Sequence, residues 1–156
     1  MVARLKKIEG SWPVKIGKYD VIAFTVSKSI KIRGISLHRA HPSGITKTFD
    51  GNIEIYETSD TKMLYRESFE ISTDDQPSYV DRLFSSPQEI EKDTEYIIAV
   101  GYTINLDQIW ASVDAENPAV AVCGGDEVTF NFSKSKWDSN GSDESKGQIP
   151  RILFSC

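Results

Sequence analysis

The stretch Val128-Thr129-Phe130-Asn131-Phe132 alternates large apolar and polar side chains at every step. A period of two marks extended chain with one buried face, because successive side chains of a strand point to opposite sides. The same alternation recurs outward from this stretch. Ile22, Phe24 and Val26 share a face in residues 20–26, as do Ile53 and Ile55 in residues 52–57. Met63, Tyr65, Phe69 and Ile71 alternate through residues 63–71, with Glu67 as the one polar exception. Residues 95–102, carrying Tyr96, Ile98 and Val100, are apolar enough for a central strand. Val120 and Val122 form a short strand, and Ile152 and Phe154 share one side of a last strand over 148–154. Ile30 and Ile32 have one parity, Ile35 and Leu37 the other. That switch at Arg33-Gly34 predicts a β-bulge, whose extra residue flips every later side chain.

Turn residues punctuate these runs at Pro42-Ser43-Gly44, Asp50-Gly51, Asp74-Asp75-Gln76-Pro77 and Gly124-Gly125. Parallel strands would need crossover helices for which the spacing leaves no room. Only residues 86–92 could hold a helical turn. The expected architecture is an all-β, antiparallel two-sheet β-sandwich of roughly nine to eleven strands, forming one domain over residues 1–156.

At 156 residues such a domain buries about 70% of its unfolded surface and needs no staple. Apolar residues make up 39% and charged residues 26%, both globular values. A net charge of −5 argues against nucleic-acid and anionic-membrane partners, which favour a basic face. No run approaches a membrane span, and residues 1–10 lack the apolar core of an export signal. Cys123 and Cys156 fit no metal or redox spacing. They read as a small buried apolar residue and a terminal thiol, which points to a reducing compartment. Without an export signal, the sequons at Asn131 and Asn140 read as chance.

Catalytic signatures are missing: the chain has no G-x-S-x-G, no phosphate-binding glycine loop and no nucleophile–base pairing. His38 and His41 fall on opposite faces of a strand end, a poor pairing for a metal. Asp138, Asn140, Asp143 and Glu144 resemble a calcium loop only loosely. No enzyme activity, metal or cofactor is expected.

The last quarter carries the most specific signal. Gly125-Asp126-Glu127-Val128-Thr129-Phe130-Asn131-Phe132, then Asn140-Gly141, then Gly147-Gln148-Ile149-Pro150-Arg151-Ile152-Leu153-Phe154, resembles the end of the PHR domain. This module is named for Pam, Highwire and their nematode counterpart, very large neuronal ubiquitin ligases, and it also closes BTB–BACK–PHR adaptor proteins. Residues 20–26 with Ile30, Ile32, Gly34, Ile35 and Leu37 look like the family's opening strand pair. Ser11-Trp12 fits its lead-in, and Asp93-Thr94-Glu95-Tyr96 its mid-domain turn. Leu37-His38-Arg39-Ala40-His41-Pro42 departs from the small residues common in relatives at that place.

The resemblance implies a rigid sandwich whose end loops recruit another protein, a ubiquitination substrate or regulator, in a cytoplasmic ligase or adaptor context. It also implies a domain excised from a larger protein. The expected partner-binding residues are His38, Arg39, His41, Trp137, Asn140 and Gly141. Arg39 and Trp137 are residue types that anchor interfaces, while Asn140-Gly141 also suits a turn with positive φ. Residues 133–147, with Trp137 as their one large apolar side chain, are either disordered or held by their own hydrogen bonds. The turns at 74–77 and 101–107 complete the expected surface. The alternative is a carbohydrate-binding sandwich with Trp110 or Trp137 as sugar platform; Trp12 is expected to pack along the sandwich edge.

Overall fold

A computed structural model describes residues 1–39, 48–72 and 79–156. Twelve strands and no helix are present among them: β1 (Val2–Ala3), β2 (Leu5–Val14), β3 (Tyr19–Val26), β4 (Ile30–His38), β5 (Thr48–Glu57), β6 (Lys62–Ser72), β7 (Tyr79–Ile90), β8 (Tyr96–Tyr102), β9 (Leu106–Ala115), β10 (Ala119–Cys123), β11 (Asp126–Lys134) and β12 (Arg151–Ser155). All pairings are antiparallel. One sheet runs β10-β11-β3-β8-β5-β6 and the other β1-β12-β4-β7, with β2 and β9 forming a two-stranded ribbon.

The expected alternation builds the core. Ile22 and Phe24 of β3, Phe130 of β11, Ile98 and Val100 of β8 and Ile55 of β5 turn inward and are buried. From the facing sheet come Ile32, Ile35 and Leu37 of β4 and Ile152 of β12, in the same apolar cluster. Burial at about 25 cal/mol per Å² of apolar area is what holds two such sheets together. β8 lies between β3 and β5 and is buried along its whole length, the central strand its composition predicts.

The bulge also forms. β12 pairs Leu153 with Gly34 and Phe154 with Ile32, so Arg33 is the extra residue that reverses the parity of β4. It is exposed, and its Nε donates to Ser155 Oγ at 2.8 Å.

Several expectations are corrected. Asp50-Gly51 is no turn but part of β5, where Gly51 pairs with both Phe69 and Tyr102. Residues 86–92 hold no helical turn; Gln88–Ile90 continue β7 against Ile32–Ile30. Met63 is 48% exposed because Ile55 faces Tyr65 while Tyr56 faces Met63. Leu64 is the extra residue there and packs on the core in its place. The short strand expected at Val120 and Val122 does form, as β10, with the valines outward, Val122 at 73% exposure, and Ala119, Ala121 and Cys123 toward the core. β2, β7 and β9 were not foreseen. β7 is a largely exposed edge strand and β2 pairs irregularly, so neither shows a clean period of two.

The expectation of two free cysteines is likewise corrected. Cys123 at the end of β10 is disulfide-bonded to Cys156, with Cα atoms 6.0 Å apart. The bond ties an edge of the larger sheet to the end of β12 in the smaller one. It also removes the compositional ground for a reducing compartment.

Candidate functional site

Past Lys134 the chain leaves β11 and crosses the outer face of the larger sheet. Beyond the β11 pairing, which ends at Ile22, the first residues of β3 need other partners for their backbone groups. The loop supplies them. Val21 N–H donates to Asp138 Oδ1 at 2.9 Å, Tyr19 N–H to Ser139 Oγ at 2.9 Å, and Ser139 N–H to Tyr19 O at 3.0 Å. Asp138 Oδ2 accepts from Gly141 N–H at 2.8 Å, closing the turn. Gly141 has φ +94°, the positive value that the Asn140-Gly141 pair predicts.

A buried polar cluster anchors the underside of the loop. Asp20 accepts from Ser142 Oγ at 2.7 Å and from Asn140 Nδ2 at 3.1 Å. Burial pushes the Asp20 carboxyl up to about 7, against the pull of those two hydrogen bonds and of Arg4. Arg4, 0% exposed, donates from Nε to Ile149 O at 2.8 Å and from Nη1 to Asp143 O at 2.6 Å. Burial lowers its guanidinium to about 10, so it stays charged at neutral pH. Asp143 is held below the ordinary carboxylate range because hydrogen bonds from Ser145 and Lys146 outweigh its partial burial. The loop carboxylates Asp138 and Asp143 are thus engaged by backbone amides. Gly147 exchanges two backbone hydrogen bonds with Ser112 of β9.

This anchoring sets Trp137 half-buried on the outer face of the sheet. Beneath it lie Val21, Ala23, Ile97 and Ala99, small or branched side chains of β3 and β8. The strand register places Glu54, Ala99 and Val21 in one cross-strand row and Tyr56, Ile97 and Ala23 in the next. Tyr56 meets Trp137 edge-on, ring centroids 6.0 Å apart at 78°. Tyr19 packs on the same floor, its ring lying over Gly101, where any Cβ would strike it. Trp137 therefore separates two depressions. One, about 350 Å³, is walled by Tyr19, Tyr56 and Trp137 with Glu54 at its side. The other, about 300 Å³, is bordered by Lys134, Lys136, Glu95 and Thr58.

Glu54 is largely buried. Its Oε2 accepts from the Tyr56 hydroxyl at 2.7 Å, and Arg66 Nε lies 3.6 Å from Oε1. The hydrogen bond to Glu54, with burial second, pushes the Tyr56 phenol up to about 12.

The sequence-predicted residues are dispersed by the fold. Trp137, Asn140 and Gly141 come together in the anchored loop, with Trp137 outward and Asn140 turned to Asp20. His38 is 1% exposed, within hydrogen-bonding distance of Ser112 Oγ through Nε2 (2.8 Å) and edge-on to Tyr79. Arg39 donates to Ser72 Oγ at 2.6 Å at the end of β6. His41 and the turns at 42–44 and 74–77 lie outside the described residues, as do the side chains of Trp12 and Trp110. Sequence reading missed Tyr19, Glu54 and Tyr56. Each sits at an outward position of a strand, and only the register brings the three beside Trp137.

An all-β sandwich with a long loop anchored across one sheet, and an aromatic shelf on that loop, defines a compact loop-bearing scaffold. The chain belongs to the PHR domain family, whose profile matches residues 3–155. Over 138 residues it is 28% identical to BTB/POZ domain-containing protein 6-B of Danio rerio, which covers 88% of this chain and 27% of that protein. The chain thus spans about a quarter of the length of that curated relative.

Proposed function

We propose that this PHR domain is a non-catalytic protein-recognition module, and that the shelf of Trp137, Tyr56 and Tyr19 is its contact surface. The observation that carries this reading is the anchoring of the loop. Trp137 is held by its neighbours, yet remains partly accessible beside two depressions. A preorganised aromatic side chain at a concave surface costs little entropy to bind and is the usual kind of interface anchor. The likeness to a BTB/POZ domain-containing protein supports an adaptor setting. In that setting the partner is a ubiquitination substrate or its regulator, and the location cytoplasmic. Nucleic acid is a poor fit to a domain of net charge −5.

The test is retention of proteins from cytosol by the domain and by a Tyr56→Ala/Trp137→Ala variant verified as folded by its amide spectrum. Retained proteins are identified by mass spectrometry and re-tested as purified components. A direct partner lost by the variant supports the reading. Equal binding by the variant moves the surface elsewhere. Failure of every candidate to bind directly, with hits on a glycan array instead, replaces it with the carbohydrate alternative.

A further inference from the structure

The two depressions beside Trp137 differ in charge, and the difference selects an occupant. On the Lys134 side two cations border one carboxylate. On the Tyr19 side Glu54 is the one charged lining residue among the described residues, set among three aromatic rings and the apolar floor of Val21, Ile97 and Ala99. Aromatic faces carry negative quadrupole potential and attract cations, more strongly where water is excluded. A carboxylate at the side of such a pocket adds directional hydrogen-bond acceptors. Glu54 retains acceptor capacity, since an ionised carboxylate has about four lone-pair sites. Among the described residues it receives one hydroxyl hydrogen bond, and Arg66 approaches it only at ion-pair distance.

The geometry points to a binding pocket for an arginine side chain of a partner protein, with the guanidinium among Tyr19, Tyr56 and Trp137 and turned toward Glu54. Arginine fits better than lysine because its planar group both stacks on rings and bonds a carboxylate through two N–H donors. The pocket opens on the outer face of the sheet, so the arginine arrives on an exposed segment of the partner. The neighbouring Lys134 and Lys136 disfavour a second basic residue on the far side of Trp137. This inference rests on the recognition reading above and adds the chemistry of the residue recognised.

The probe is the blocked peptide acetyl-Gly-Gly-Arg-Gly-Gly-amide, compared with the same peptide carrying citrulline, which keeps the shape of arginine and lacks its charge. Binding is followed by amide and indole N–H shifts in the intact domain, the Trp137 indole being assigned with Trp137→Phe. The arginine peptide is expected to shift the Trp137 indole and the Tyr56 and Ala99 amides, and to bind about tenfold tighter than the citrulline peptide. Glu54→Gln should reduce that preference to about twofold or less while leaving the remaining spectrum unchanged. Glu95→Gln, on the far side of Trp137, should leave it intact.

Equal binding of the two peptides, shifts confined to the Lys134 side, or an unaltered preference in Glu54→Gln would each overturn the arginine pocket. No shift at millimolar peptide would overturn it too. The recognition reading is separable: it survives if a purified partner still loses affinity with Trp137→Ala, and falls only if that partner binds the variant normally.

Discussion

The indole of Trp137 stands edge-on to the phenol of Tyr56, centroids 6.0 Å apart, although the residues lie in different strand–loop segments of the chain. The contact fixes the loop side chain against β5. A double-mutant cycle of Trp137→Ala and Tyr56→Ala in urea should return a coupling of about 0.5–1.5 kcal/mol. Trp137→Ala alone should cost about 1–3 kcal/mol, less than a fully buried aromatic, because the side chain is half-buried. Additive effects would mean that the Tyr56 ring contributes nothing to holding Trp137, leaving the floor of Val21, Ala23, Ile97 and Ala99 as its support.

Asp20 makes stability depend on pH. Its carboxyl is raised from 3.8 to about 7 in the folded domain by burial. Protonation is therefore easier folded than unfolded. The contribution of this group is fully present below about pH 4 and is lost as pH rises through about 7. Asp20→Asn keeps the shape and can still bond Ser142 and Asn140. Urea midpoints between pH 4 and 8 should show the wild type losing on the order of a few kcal/mol relative to Asp20→Asn as pH rises. Parallel profiles would remove Asp20 as the cause.

Gly101 is required by the ring above it. A Cβ there would meet the Tyr19 ring, so Gly101→Ala must move that ring or bend β8. The expected cost is about 1–3 kcal/mol by thermal or urea unfolding. The Tyr19 ring signals should move, with little change at Ile53 or Phe130. Unchanged Tyr19 signals would contradict the packing.

Arg4 acts as a rivet between the N-terminus and the loop. Arg4→Ala removes charge-assisted bonds to Ile149 O and Asp143 O and leaves a void, at a cost of about 3–5 kcal/mol. Hydrogen exchange should accelerate at the Asp143 and Gly147 amides well before those of β8. Uniform acceleration throughout the domain would mean that the loop is not a separate unit.

The strands of the core were legible because a half-buried strand writes its burial into a period of two. Ile22-Phe24-Val26, Val128-Phe130-Phe132 and the parity switch at Arg33 all state their faces locally. Strands that bury little, such as β7, leave no such record. Asp50-Gly51 misled because Gly also serves close backbone approach within a sheet, and a lone residue type cannot say which. Arg4 read as a charge in an unremarkable N-terminus, since nothing near it in sequence reveals the carbonyls it binds 139 and 145 positions away.

The sequence by itself determined the sandwich, the bulge, the turn at Asn140-Gly141 and the family, since each is encoded by residues adjacent or periodic along the chain. The tertiary structure alone decided that His38 points inward, that Cys123 meets Cys156, and that Tyr19, Glu54 and Tyr56 gather beside Trp137. Those relations depend on strand register and on where a long loop comes to rest. Both are set by the summed burial and hydrogen bonding of segments far apart in the chain.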